Sequence, residues 1–134
     1  MLKSRVICDK MKYMVEKMIL IIDDEKMICE MIGDAFRNNG YEVKTALSAE
    51  EGLEILESED IPVIFLDLNL PGMTGIEMCR HLRQNGAQNV IYAVTGYSSI
   101  YGVQECKKAG FNDFFAKPVK LEVLFKAAEE AFRK

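Results

Sequence analysis

Residues 18–25 read MILIIDDE, so five apolar side chains run directly into Asp23, Asp24 and Glu25. Further on, PVIFL (62–66) ends in Asp67, VIYAV (90–94) ends in Thr95-Gly96, and DFFA (113–116) is followed by Lys117-Pro118. If these runs finish at one edge, carboxylates, a hydroxyl and an ammonium converge there. Like charges crowded in this way repel. Two unit charges about 4 Å apart interact by ~4 kcal/mol at an effective dielectric of about 20, and Lys117 compensates only one carboxylate. A hard divalent cation on oxygen ligands relieves the rest, and Mg²⁺ suits a partly hydrated site of few carboxylates. Mg²⁺, a lysine and a hydroxyl are the equipment of phosphoryl transfer, in which catalysis is mainly positioning and charge neutralisation. No cysteine or serine stands beside a base, so the nucleophile is a carboxylate, as in aspartyl-phosphate formation.

The elements that must position these residues are legible from hydropathy. MILII (18–22), PVIFL (62–66) and VIYAV (90–94) are continuous apolar runs, the mark of strands covered on both faces. YEVKTA (41–46) alternates and DFFA (113–116) opens on a charge, so both are expected at the edges. Between the strands lie helices. Ile28, Met31, Ile32, Ala35 and Phe36 share a face, and Asn39-Gly40 ends that helix. Ser48 with Glu51 reads as a capping box. Ile76, Cys79 and Leu82 form the inner stripe of the third helix, and Ile100 and Val103 belong to the fourth. Leu121, Leu124, Phe125, Ala128 and Phe132 line the last. The expected fold is α/β: a doubly wound, flavodoxin-like, five-stranded parallel sheet of order 2-1-3-4-5 over residues 18–134. In such sheets the working site lies beyond the carboxyl ends of the strands, which is where the reactive residues fall.

Size and charge narrow the function. The chain has 134 residues, enough for one domain with a sound core, and a net charge of −4, which argues against direct nucleic-acid binding. No apolar run approaches the roughly 20 residues of a membrane span, and no clean apolar stretch follows Lys3 and Arg5 as a secretory signal requires. A cytoplasmic location is expected. Cys8, Cys29, Cys79 and Cys106 lack metal-ligand spacing and read as reduced thiols rather than two disulfides. Residues 1–17 exceed what the fold requires and read as an N-terminal extension. They carry Lys3, Arg5, Lys10, Lys12 and Lys17 against Asp9 and Glu16, with Ile7, Met11, Met14 and Met18 at helical spacing. The extension packs on its own domain or joins a neighbour in a homodimer; alternatively the start lies later, at Met11, Met14 or Met18.

Taken together, DDE (23–25), VIFLD with LNLPGMTG (63–75), TG (95–96) and KP (117–118) resemble the receiver domain of two-component response regulators, over about residues 18–134. The resemblance implies that Asp67 accepts a phosphoryl group from a histidine kinase or phosphotransfer protein. It implies Mg²⁺ on Asp24, Asp67 and the Asn69 backbone carbonyl, with Asp23 acting directly or through water. Thr95 would offer its hydroxyl to the phosphoryl group, and Lys117 would pair with the carboxylate and then the phosphate, across a cis Lys117-Pro118 bond. Thr95 and an aromatic three residues before the lysine form the family's switch. Here that aromatic is Phe114, which has no hydroxyl where tyrosine is common. Asn69 and Tyr97 occupy positions that tune phosphoryl lifetime.

Each residue alone also has an ordinary role. Asp24 could cap a helix, Asp67 could form a turn before Pro71-Gly72, Thr95 could be a strand threonine, and Lys117 could be solvated. The ordinary roles fail jointly, because four accidents would have to meet at one sheet edge. His81 reads as a surface side chain, and Gly102 either as a glycine tolerated for packing or as a weak point that lets the fourth helix shift. The expectation is a stand-alone receiver without an output domain. It is a signalling switch rather than an enzyme, and it repacks the face made by the fourth helix, last strand and fifth helix to control a protein partner. One alternative is a Mg²⁺-dependent phosphatase of the haloacid-dehalogenase type, although that class carries its nucleophile on the first strand and its acidic pair late. The other is a degenerate receiver that binds partners without phosphorylation.

Overall fold

The computed structural model describes residues 17–96 and 100–133, the latter without the side chains of Ile100 and Tyr101. The extension up to residue 16, with Cys8, and the residue Tyr97 lie outside the described residues. Strands β1 (Met18–Ile22), β2 (Glu42–Ala46), β3 (Val63–Leu66), β4 (Val90–Thr95) and β5 (Asp113–Ala116) alternate with helices α1 (Lys26–Asn38), α2 (Ala49–Ser58), α3 (Gly75–Gln84), α4 (Ile100–Ala109) and α5 (Leu121–Arg133). The strands form one sheet in the order β2-β1-β3-β4-β5, every pair parallel. This is the expected doubly wound architecture. Pro62, which lacks an N–H to donate, stays just outside β3, and its carbonyl accepts from Val90 N–H.

Strand side chains alternate between two cores. Leu20, Ile22, Ile64, Leu66, Ile91 and Ala93 pack with Met78, Cys79, Cys106 and Ala109 beneath α2, α3 and α4. Ile19, Ile21, Val63, Phe65, Tyr92 and Val94 pack with Ile32, Phe36 and Leu124 beneath α1 and α5. Phe36 is fully buried and meets Phe125 edge-on, with ring centroids 4.9 Å apart.

The helix faces depart from expectation in detail. In α1 the buried residues are Cys29, Ile32, Gly33 and Phe36. Met31 is instead 56% exposed, and Met27 82%. The stripe is rotated because Cys29 and Gly33 let the helix sit close on the β1–β2 strand pair. In α3, Met78 joins Cys79 and Leu82 inside, while Ile76 is half-buried. Ser48 caps α2 by accepting from Glu51 N–H. A full reciprocal capping box occurs instead at α3, where Thr74 Oγ1 accepts from Glu77 N–H and Glu77 Oε1 accepts from Thr74 N–H. His81 is exposed as expected, and Gly102 is buried.

Candidate functional site

Register brings the reactive residues together. Ile22 pairs with both Ala46 and Leu66, so Asp23 and Asp67 leave neighbouring strands at the same level. Asp23 N–H donates to Ala46 O at 3.1 Å, and Asp67 N–H donates to Ile22 O at 2.9 Å. Thr95 pairs with Ala116, and Lys117 N–H donates to Thr95 O at 2.8 Å. Asp23, Asp67 and Lys117 therefore stand one step beyond the ladder and Thr95 is its last rung, all at the carboxyl edge.

Lys117 Nζ donates to Asp23 Oδ2 at 2.6 Å and to Asp67 Oδ2 at 3.2 Å. The second oxygen of each aspartate closes a local turn: Asp23 Oδ1 accepts from Glu25 N–H at 2.9 Å, and Asp67 Oδ1 accepts from Asn69 N–H at 3.1 Å. Both aspartates are buried. Asp24 is exposed and makes no helix cap; the cap residue of α1 is Glu25, without a side-chain bond. Asp24 instead lines a cleft of about 470 Å³ with Glu25, Asp67, Asn69, Thr95, Gly96 and Lys117. Thr95 is fully buried at its floor, and the Lys117–Pro118 peptide is cis. Phe114 is half-buried on β5, in register with Ala93, against the core beneath α2, α3 and α4.

Charge is unbalanced in this cleft. Asp23, Asp24 and Glu25 each have a carboxylate oxygen within 4.8 Å of the others, and Lys117 is the cation that reaches Asp23 and Asp67. Burial pushes the Asp67 carboxyl above its ordinary value; the Asn69 N–H and the Lys117 charge pull against this, and Asp23 adds to it. Burial alone would lower the Lys117 ammonium, but its bonds to Asp23 and Asp67 outweigh it and the net shift is upward. Lys117 therefore stays charged while Asp67 remains under-compensated. Clustered carboxylate oxygens around an open cleft, in excess of the Lys117 ammonium, fit a hard divalent cation such as Mg²⁺.

The expected residues Asp23, Asp24, Asp67, Asn69, Thr95 and Lys117 thus gather at one place. Three participants have no site role assigned from sequence. Glu25, quoted there only as part of the DDE run, lines the cleft. Gly75 is required because a Cβ there would collide with the Asp67 carbonyl oxygen and lie 2.8 Å from Leu68 Cα. Cys29 donates to the carbonyl of Asp23 at 3.2 Å. The T-G-I-E spacing of residues 74–77 signals Gly75 as a helix start; nothing in one sequence signals Cys29.

The fold and the cleft define a parallel α/β protein with an acidic, lysine-braced pocket at its strand ends. The chain belongs to the response regulator receiver domain family, whose model matches residues 19–129. It is 35% identical over 106 residues to a cyclic di-GMP phosphodiesterase of Thermotoga maritima, covering 79% of this chain and 28% of that protein. It is 28% identical to sporulation initiation phosphotransferase F of Bacillus subtilis, over 87% of this chain and 94% of that one. The chain spans less than half the length of several other relatives. A CheY-like receiver domain of Methanospirillum hungatei superposes with a TM-score of 0.82 at 30% identity, covering 87% of this chain and 93% of that one. Membership of this family, with the acidic pair directly after β1 and Asp67 directly after β3, decides against the haloacid-dehalogenase reading. No described helix is long and apolar enough to cross a membrane.

Proposed function

We propose that Asp67 is the phosphoacceptor of a signalling switch in the cytoplasm, loaded by a histidine kinase or phosphotransfer protein in the presence of Mg²⁺. One observation carries this reading: a buried, under-compensated Asp67 carboxylate lies at an open acidic cleft, bonded to a lysine that also holds Asp23. An Asp67 oxygen attacks the donor phosphorus, an O–P bond forms, and the N–P bond of phosphohistidine breaks, its electron pair and a proton remaining on the imidazole. Asp23, Asp24 and Asp67, with the Asn69 carbonyl, would hold the cation, which supplies charge neutralisation for the phosphoryl oxygens. Lys117 then exchanges its bond to Asp67 for one to the new phosphoryl group, and the Thr95 hydroxyl donates to another of its oxygens. Attack by water at phosphorus restores the carboxylate and releases inorganic phosphate, with Asn69 and Tyr97 setting access.

The output is a change of protein contact. As Thr95 is drawn toward the phosphoryl group, Phe114 and the face of α4, β5 and α5 repack. That face meets a downstream protein or a second copy of the chain. Likeness to the sporulation phosphotransferase over nearly its whole length supports a receiver that works as a unit of its own, with residues 1–17 as an extension to it.

Intact-mass analysis after incubation with Mg²⁺ and acetyl phosphate tests the chemistry. One added phosphoryl group is expected, lost in Asp67→Asn and when EDTA is present. An unlabelled wild-type protein would instead favour a receiver that binds its partners without phosphorylation.

A further inference from the structure

Cys29 lies one turn into α1 with 1% of its surface exposed, and its thiol faces the ends of β1 and β2. Its Sγ donates to the Asp23 carbonyl oxygen at 3.2 Å and lies 3.7 Å from the Ala46 carbonyl oxygen. The Ala46 oxygen also accepts the Asp23 N–H. Asp23 is thereby held at four points: its N–H by β2, one carboxylate oxygen by the Glu25 turn, the other by Lys117, and its carbonyl by Cys29. Only the last ties the 23–24 peptide to the interior of α1. A peptide plane fixed at its carbonyl also fixes ψ of Asp23 and φ of Asp24. Freed, it can rock, and Asp24 swings with it.

We infer that Cys29 is a positioning residue for the cleft, its S–H holding the Asp23 carbonyl so that Asp23 and Asp24 present their carboxylates together to a divalent cation. This rests on the proposed reading of the cleft as a Mg²⁺-assisted phosphoacceptor site. A thiol suits the place because it is small, buries readily and still donates, though weakly. A weak donor contributes little to global stability, whereas groups that orient metal ligands typically change affinity by about 10- to 100-fold when removed.

The test compares Cys29→Ser, Cys29→Val and Cys29→Ala in the full chain. Calorimetric titration gives Mg²⁺ affinity, thermal melts give stability, and acetyl phosphate labelling gives the rate at Asp67. Ser keeps a donor and should bind Mg²⁺ within about twofold of wild type, whereas Val and Ala should lose on the order of tenfold. Val fills the thiol's volume, so its melting temperature should stay near wild type while its affinity falls; a purely structural residue would not separate the two. Wild-type affinity in Val, or an equal loss in Ser and Val, overturns the inference. An unlabelled wild type would sink the phosphoacceptor reading yet leave the Mg²⁺ titration to judge Cys29.

Discussion

At the scale of single residues, the cleft is a compromise between burial and charge. Asp67 has its carboxyl pushed upward by burial, so its ionised form opposes folding when no cation is bound. The sign follows from linkage: the native state holds this proton more tightly, so stability recovers as pH falls from the raised native value toward the ordinary value of 3.8. In EDTA, Asp67→Asn should therefore melt above wild type at pH 7, and the gap should close on acidification. Urea titrations of both proteins across pH 4–7 check this, and a gap that widens toward acid would contradict it. Gly75 makes a second case. A methyl group there meets the Asp67 carbonyl and Leu68 Cα, both backbone, so neither can rotate away. Gly75→Ala should cost about 2–3 kcal/mol by overpacking, read as a lower urea midpoint, and should slow Asp67 labelling because the carboxylate's own peptide is displaced. The aspartates, threonine and lysine were legible because each stands directly after an apolar run. Gly75 was not, since its constraint is a backbone atom brought near only by the fold.

At the scale of elements, the strand runs survived folding almost unchanged, and the helix faces did not. Short continuous apolar strings bounded by charges and turn residues read as buried strands, and the point where each string stops marks its strand end. A helix face depends on what it meets: α1 approaches the sheet through Cys29 and Gly33, so Met31, apolar and correctly spaced, faces outward. The same contrast holds for caps. Ser48 and Thr74 each stand three residues before a glutamate, yet only Thr74 with Glu77 closes both bonds. Thiols sewn into the helix faces give these elements a measurable pH response. Burial pushes Cys79 on α3 and Cys106 on α4 up to about 11 from 9.0. Between those values unfolded thiols ionise while native ones hold their protons, so stability falls as pH rises from 9 toward 11, by at most roughly 2 kcal/mol per thiol. Cys106→Ala should flatten its share of that decline in urea titrations at pH 8.5 and 10.5. At pH 8 an aromatic disulfide reagent should react with these thiols only after unfolding.

At the scale of the whole molecule, the two edges of the sheet divide the labour. The carboxyl edge carries the unbalanced acids around Lys117; the opposite edge is pinned by Arg83. From the last turn of α3, Arg83 donates to Ala87 O at 2.8 Å, to Gly110 O at 2.9 Å and to Asn112 Oδ1 at 2.9 Å. Asn112 Oδ1 also accepts from Ile91 N–H, and Asn112 N–H donates to Ile91 O, both at 2.8 Å. One guanidinium thus joins α3, the turn into β4 and the turn into β5. Gly110 belongs to this arrangement, with φ of +107° and no room for a Cβ, which would meet Arg83 Cγ at 2.6 Å. Hydrogen bonds to a charged donor contribute about 1.5–3 kcal/mol each before the exposed part is discounted, and the half-buried Ala87 and Gly110 carbonyls left unpaired add to the loss. Arg83→Met should therefore destabilise the fold by about 2–4 kcal/mol, seen as a lower urea midpoint with an unchanged slope. Because the pinned turns lie a full strand length from the cleft, Mg²⁺ affinity and Asp67 labelling of the folded variant should stay within twofold of wild type. A fall in Mg²⁺ affinity at temperatures well below the melt would mean that the two edges are coupled through β4, and the division would have to be given up.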